Sequence, residues 1–177
     1  LIGNLAYDNP KAAAALVAGE QPRGRTFIKL NTNENPYPPS PKVLESIKNA
    51  ATASLRLYPD PECLELRKAI AKQYQTIPER VFVGNGSDEI LAFAFGAFFG
   101  SRNAEGEGSD GLEGVAPLLF PDVSYSFYPV YADLWNLNYQ TIALADDFSI
   151  KAQDYFRPCT GVVFPNPNAP SSRALTR

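Results

Sequence analysis

Histidine and methionine are both absent from the 177 residues. Without imidazole, the chain loses the usual neutral-pH base, nucleophile and metal ligand. Cysteine is scarce too: Cys63 and Cys159 stand far apart with no CxxC pairing. That excludes the common zinc spacings and gives no disulfide framework, so reduced thiols in a cytoplasmic compartment are expected. No apolar run approaches the roughly 18 residues of a membrane span, and the start lacks the pattern of a secretory signal. Neither sign of charge forms a block, and the net charge of −3 is spread along the chain. A nucleic-acid surface, a membrane surface and an acidic tail are therefore not expected.

What is present is a globular composition, 45% hydrophobic, enough for one sizeable core. Residues 1–37 show little periodicity and end in the polar, proline-broken stretch Leu30–Tyr37, which reads as an extended arm. Ser40-Pro41 predicts a helix start, with Ser40 as N-cap and Pro41 in the first helical position. Val43, Leu44, Ile47, Ala50 and Ala51 then share one face. Asp60-Pro61 predicts a second start, with Leu64, Leu66, Ile70 and Ala71 apolar.

From residue 81 the pattern changes. Val81–Val83, Leu118–Phe120, Tyr139–Leu144 and Gly161–Phe164 read as strands. Residues 88–99 read as a helix buried nearly all round, 125–137 as a helix with Pro129 near its first turn, and 150–156 as a short helix. Strand and helix alternate, which predicts an α/β fold: a mainly parallel sheet with helices on both faces, incomplete in this chain. The segment Ser101–Gly114, rich in Gly, Ser and acids, reads as a surface loop.

In open parallel sheets, ligands bind beyond the carboxyl ends of the strands. Three such ends carry unusual residues. Gly84-Asn85-Gly86-Ser87-Asp88-Glu89 joins a strand to a helix; its glycines permit positive φ and close backbone approach. The amides of Ser87 and Asp88 would sit at the helix N-terminus, where free donors and the macrodipole attract phosphate. The spacing matches neither a Walker loop nor GxGxxG. A plain strand–turn–helix with Ser87 as cap explains the same residues without a ligand. Pro121–Tyr128 offers aromatic faces that suit either a heteroaromatic ring or the protein core. Phe164–Pro170 is a proline-stiffened turn carrying two amide side chains. One site could use all three.

In order and spacing, the segments LNTNENPYPPSP, LYPDP, GNGSDE, FPDVSYSFY and FPNPNAP resemble fold-type-I, pyridoxal-phosphate-dependent aminotransferases, specifically the histidinol-phosphate branch. The match covers residues 28–173. The resemblance implies a PLP-dependent transferase-like major domain, here its N-terminal part, over residues 38–177. The rest of that domain and a C-terminal small domain would be absent. It implies pyridoxal 5'-phosphate as cofactor, with phosphate contacts from Gly86, Ser87 and Asp88 and with Tyr125 stacked on the pyridine ring. Tyr58 would reach the phosphate in a partner subunit, making a homodimer. Asn33, Glu34 and Asn35 would border the substrate pocket. Ala169 stands where most relatives carry an asparagine that bonds the cofactor's phenolic oxygen, and Asn168 is the expected replacement. Ser171-Ser172 stands in place of the usual Thr-Gly.

The implied reaction, a step of histidine biosynthesis, moves an amino group from histidinol phosphate, or a similar amino acid or amino-alcohol phosphate, to a 2-oxo acid, 2-oxoglutarate. The Schiff-base lysine, an acid for the pyridinium nitrogen and a substrate-binding arginine are expected beyond Arg177. The lysines present read as solvated surface charges, so no catalytic residue is expected in this chain. A threonine-phosphate decarboxylase or an aromatic aminotransferase fits the same scaffold. A non-catalytic phosphate-binding module is the reading from another class.

Overall fold

The computed structural model describes Gly24, Ile28 and residues 34–100 and 116–176. Asn33, most of the arm expected for residues 1–37 and the Ser101–Gly114 loop lie outside the described residues. The chain divides into two compact units, one running up to Val83 and the other from Gly84. The break falls inside the stretch that the sequence assigns to one domain portion.

In the unit up to Val83, α1 spans Pro41–Ala50 and begins as its sequence dictates. Ser40 has extended backbone, its Oγ accepts the Val43 N–H, and Pro41 follows it. The apolar face is present yet uncovered: Val43, Leu44 and Ile47 keep 46%, 45% and 60% of their surface exposed. The second helix, α2, spans Leu64–Gln73 and starts later than Asp60-Pro61 suggests. The Asp60 carboxylate accepts from the N–H groups of Glu62 (3.0 Å) and Leu64 (2.8 Å). It therefore caps a turn that precedes the helix, and those bonds hold its pKa below the ordinary carboxylate value.

Val81–Val83 is not a strand. Val81 has extended backbone, but the Arg67 guanidinium takes its carbonyl (3.0 Å) together with that of Pro78 (2.8 Å). An acceptor that a sheet ladder would use is thus held by a side chain.

The unit from Gly84 contains α3 (Gly86–Phe99), β1 (Leu118–Pro121), α4 (Tyr128–Leu134), β2 (Tyr139–Ile142) and β3 (Gly161–Val162). The three strands form one parallel sheet in the order β2-β1-β3. Leu118 lies opposite both Tyr139 and Gly161, which fixes the register on either side of β1. All four residues of β1 are buried, as a central parallel strand requires. Its side chains alternate between two cores. Leu118 and Phe120 face α3 and α4 and pack with Phe95, Tyr128, Tyr131 and Ala132. Leu119 faces the other side, with Ile142, Ile150 and Tyr155 from the β2–β3 connection.

Two helices differ from their sequence patterns. α3 starts at Gly86, two residues early, and is not buried all round, since Phe93 and Phe98 are 49% and 73% exposed while Phe95 is buried. α4 is shorter than residues 125–137 suggest, because residues 125–127 form a turn that leads into it and Asn136 leaves it with positive φ. The short helix expected over 150–156 is a single 3-10 turn, Ala152–Tyr155.

Candidate functional site

The chain leaves β1 toward β2 on one side and returns to β3 on the other, so the strand order reverses at β1. The carboxyl ends of β1 and β3 flank that reversal, which is where an open α/β sheet forms a binding crevice. The loops leaving these two strands are tied together by Asn168. This side chain is 1% exposed. Its Nδ2 donates to the Val123 carbonyl and to Ser171 Oγ, both at 3.0 Å, and its Oδ1 accepts from Ser124 Oγ at 2.9 Å. Its backbone is engaged too, N–H to Arg173 O and carbonyl from Ser172 N–H, each 2.7 Å. Asp122 ties the β1 and β2 ends likewise, its Oδ1 accepting the N–H of Val123 (2.8 Å) and of Leu144 (3.0 Å).

The glycine turn joins the same cluster. Gly86 has φ +82°, and a Cβ built on it meets nothing within 4 Å, so the backbone there borders open space. Asn85 holds the cap position without a side-chain cap bond; its N–H donates to Glu89 Oε2 at 2.6 Å. Ser87 is therefore inside the helix rather than at its cap. The Gly86 N–H closes onto the Gly84 carbonyl. Among the described residues no protein acceptor takes the N–H of Ser87 or Asp88. Two first-turn donors at the positive end of a 14-residue helix are what an oxyanion needs.

Asp88 links this turn to the aromatics. Its Oδ1 accepts from the hydroxyl of Tyr125 and, at 3.0 Å, from that of Tyr131. The Tyr125 ring stacks on Phe127 (centroids 5.7 Å apart, 20° between planes) and meets Tyr128 edge-on. Burial, and then the bond to Asp88, push the Tyr125 hydroxyl up to about 12; Tyr131 moves in the same direction for the same reasons.

Gly86, Ser87, Asp88, Tyr125 and Asn168 thus fall in one cluster. The amide of Asn168 is already spent on protein partners, so a bond to a cofactor oxygen would require giving one of these up. Ser124, Ser171 and Tyr131 belong to the cluster although the sequence reading gave them no site role, Ser171 being noted only as a departure from the usual Thr-Gly. A hydroxyl three residues past a strand is a weak hint for Ser124, while Tyr131 reads simply as a core position of its helix. Glu34, Asn35 and Tyr58 belong to the other unit. Glu34 and Asn35 are exposed, Tyr58 fully so, and Asn35 Oδ1 accepts the Tyr37 N–H at 2.9 Å. Lys151, the only lysine after Gly84, is exposed where the 3-10 turn between β2 and β3 begins.

No protein-family model matches the chain. Among solved structures, it is similar to a protein from Erwinia carotovora atroseptica described as a candidate histidinol-phosphate aminotransferase. That similarity has a TM-score of 0.62 at 25% identity and covers 79% of this chain and 38% of the other. The chain therefore has an α/β fold of the pyridoxal-phosphate-dependent aminotransferase kind. In sequence, the histidinol-phosphate aminotransferase 1 of Methylococcus capsulatus is 52% identical over 159 residues, 90% of this chain and 41% of that protein. The Clostridium botulinum histidinol-phosphate aminotransferase is 54% identical over 160 residues, again 90% of this chain and 42% of the relative. In sequence the chain is thus similar to histidinol-phosphate aminotransferases, and it spans about two fifths of the length of the relatives it matches.

Proposed function

We propose that this chain supplies the phosphate cradle and ring platform of a pyridoxal-phosphate-dependent aminotransferase acting on histidinol phosphate. The observation that carries the reading is the convergence of three loops at the reversal of strand order, with two free amides beside a tyrosine. The residues suit the cofactor: the N–H groups of Ser87 and Asp88 for its phosphate, the aromatic ring of Tyr125 for its pyridine. Asn168 and Asp122 hold the loops in register beneath it. When bound, pyridoxal phosphate supplies an electron sink for the bonds at the substrate's α-carbon.

The chain's own residues bind and orient, and Lys151 is placed as a surface charge. The proton transfer at the α-carbon is left to a lysine that this chain does not contribute. On the same reading, Tyr58 reaches a cofactor phosphate in the partner of a homodimer, Asn33, Glu34 and Asn35 border the substrate, and 2-oxoglutarate accepts the amino group. A cytoplasmic enzyme is consistent with two free cysteines and with the lack, among the described residues, of any helix long and apolar enough to cross a membrane.

The test is to give the full-length protein pyridoxal phosphate, histidinol phosphate and 2-oxoglutarate and to measure glutamate. Glutamate formation with bound cofactor is the expected result. Carbon dioxide release instead would favour a decarboxylase on the same scaffold. Phosphate binding without cofactor capture would favour a non-catalytic module.

A further inference from the structure

Asp88 uses its two ends for different partners. Its N–H is one of the two unclaimed donors at the start of α3, and its Oδ1 accepts from Tyr125 and Tyr131, 37 and 43 residues away in sequence. An acid in a first helical turn is ordinary, since the macrodipole favours it. That accounts for the charge but not for two phenols converging on one oxygen. Tyr131 is 4% exposed and its ring packs edge-on against Phe95 at 5.4 Å, so it holds the carboxylate from the core side. Tyr125 reaches the same oxygen from a turn that precedes α4 and belongs to no helix or strand, with its hydroxyl beside that of Tyr131. Contact runs from the core through Tyr131 to Asp88 and Tyr125.

We propose that Asp88 is a positioning residue whose carboxylate fixes the ring of Tyr125, so that one residue couples the grip on the cofactor phosphate to the face that stacks on its ring. This rests on the reading of the site as a pyridoxal-phosphate site. Both hydroxyls stay protonated through the neutral range and remain donors, and among the described residues these two phenols face the carboxylate, with Tyr128 against Tyr125. The arrangement also directs the negative charge of Asp88 into two O–H donors, away from an anion bound at its own amide.

The experiment uses the full-length protein with Asp88→Asn, Tyr131→Phe, Tyr125→Phe and the double variant Asp88→Asn/Tyr125→Phe. Two quantities are read: the titration of Tyr125, followed by NMR of ring-labelled tyrosine without cofactor, and the dissociation constant for pyridoxal phosphate. Asp88→Asn is expected to move the Tyr125 titration toward its ordinary value and to weaken cofactor binding about tenfold, the scale of one hydrogen bond to a charged group. In the Tyr125→Phe background the same change is expected to add less than about twofold, because the partner through which it acts is gone. Tyr131→Phe keeps the charge and reproduces part of the loss, which serves if the asparagine variant does not fold. An unchanged Tyr125 titration, or strictly additive losses in the double variant, overturns the proposal. Failure of the wild-type protein to bind pyridoxal phosphate overturns the function proposed above, and with it the coupling. The Tyr125 titration then decides alone whether Asp88 holds the ring.

Discussion

Asn168 is the residue on which the loop cluster turns. Its side chain satisfies the Val123 carbonyl and the hydroxyls of Ser124 and Ser171 from a buried position. Removing it leaves part-buried groups without this partner and a gap at a fully buried position. Asn168→Ala is expected to destabilise the unit from Gly84 by about 3 kcal/mol, read as a lower urea midpoint with unchanged slope. The tyrosines set a second expectation at this scale. Tyr125 and Tyr155 both have hydroxyls raised from 10.0 to about 12, chiefly by burial, and that of Tyr155 has no hydrogen-bond partner among the described residues. Above pH 10 the unfolded chain loses these protons first, so the folded state binds more of them and stability falls as pH rises. The contribution is complete below pH 10 and is lost as pH passes about 12, which urea titrations across that window would reveal.

At the scale of elements, the junction of α3 with α4 depends on one glycine. A Cβ on Gly96 would meet the Trp135 ring at 2.5 Å, where the indole Nε1 donates to the Ala92 carbonyl at 2.7 Å. Alanine in mid-helix normally gains about 1 kcal/mol over glycine. Overpacking against a rigid ring costs roughly 1–3 kcal/mol, so Gly96→Ala is expected to lower stability, measured by thermal unfolding. This glycine gave no signal in the sequence, because its partner Trp135 lies 39 residues on, just past the end of α4. Legibility follows that distinction throughout. Ser40-Pro41 was legible because a cap is local chemistry, and β1 because a strand buried on both faces is apolar without interruption. The lag between Asp60 and α2, and the loss of Val81–Val83 from the sheet, depend on which partner claims a carbonyl or an N–H, and periodicity carries no record of that. For the site, Tyr125 does follow a strand end, whereas Gly86, Ser87 and Asp88 were singled out behind a predicted strand that does not form; what the sequence showed correctly there was the glycine turn at a helix start. The role of Asn168 as a tie depended on burial, which the sequence does not display.

For the whole molecule, exposed apolar surface is the leading fact. Alongside the open face of α1, Leu55 and Leu57 are 74% and 58% exposed, and Phe82 is 67% exposed. Clusters of this kind mark surfaces that contact other protein. The chain matches only about two fifths of the length of its relatives, and its two compact units do not by themselves bury these side chains. Expressed alone, the 177-residue polypeptide is expected to bind a hydrophobic dye and to self-associate, seen as a concentration-dependent elution volume. Tyr58, wholly exposed, tests the dimeric part of the proposal. Tyr58→Phe in the full-length protein is expected to weaken pyridoxal phosphate binding about tenfold while sedimentation still reports a dimer. Unchanged affinity would leave Tyr58 as a turn aromatic.

Trp135 is the only tryptophan in the chain, and it lies in the unit from Gly84, wedged where α3 meets α4. The lone indole therefore lies in one unit, and the other carries none. Indole emission reports the aromatic layer beneath the loop cluster and is silent about residues before Gly84. Comparing it with circular dichroism, which sees helices in both, would tell whether the two units melt in one step or in succession.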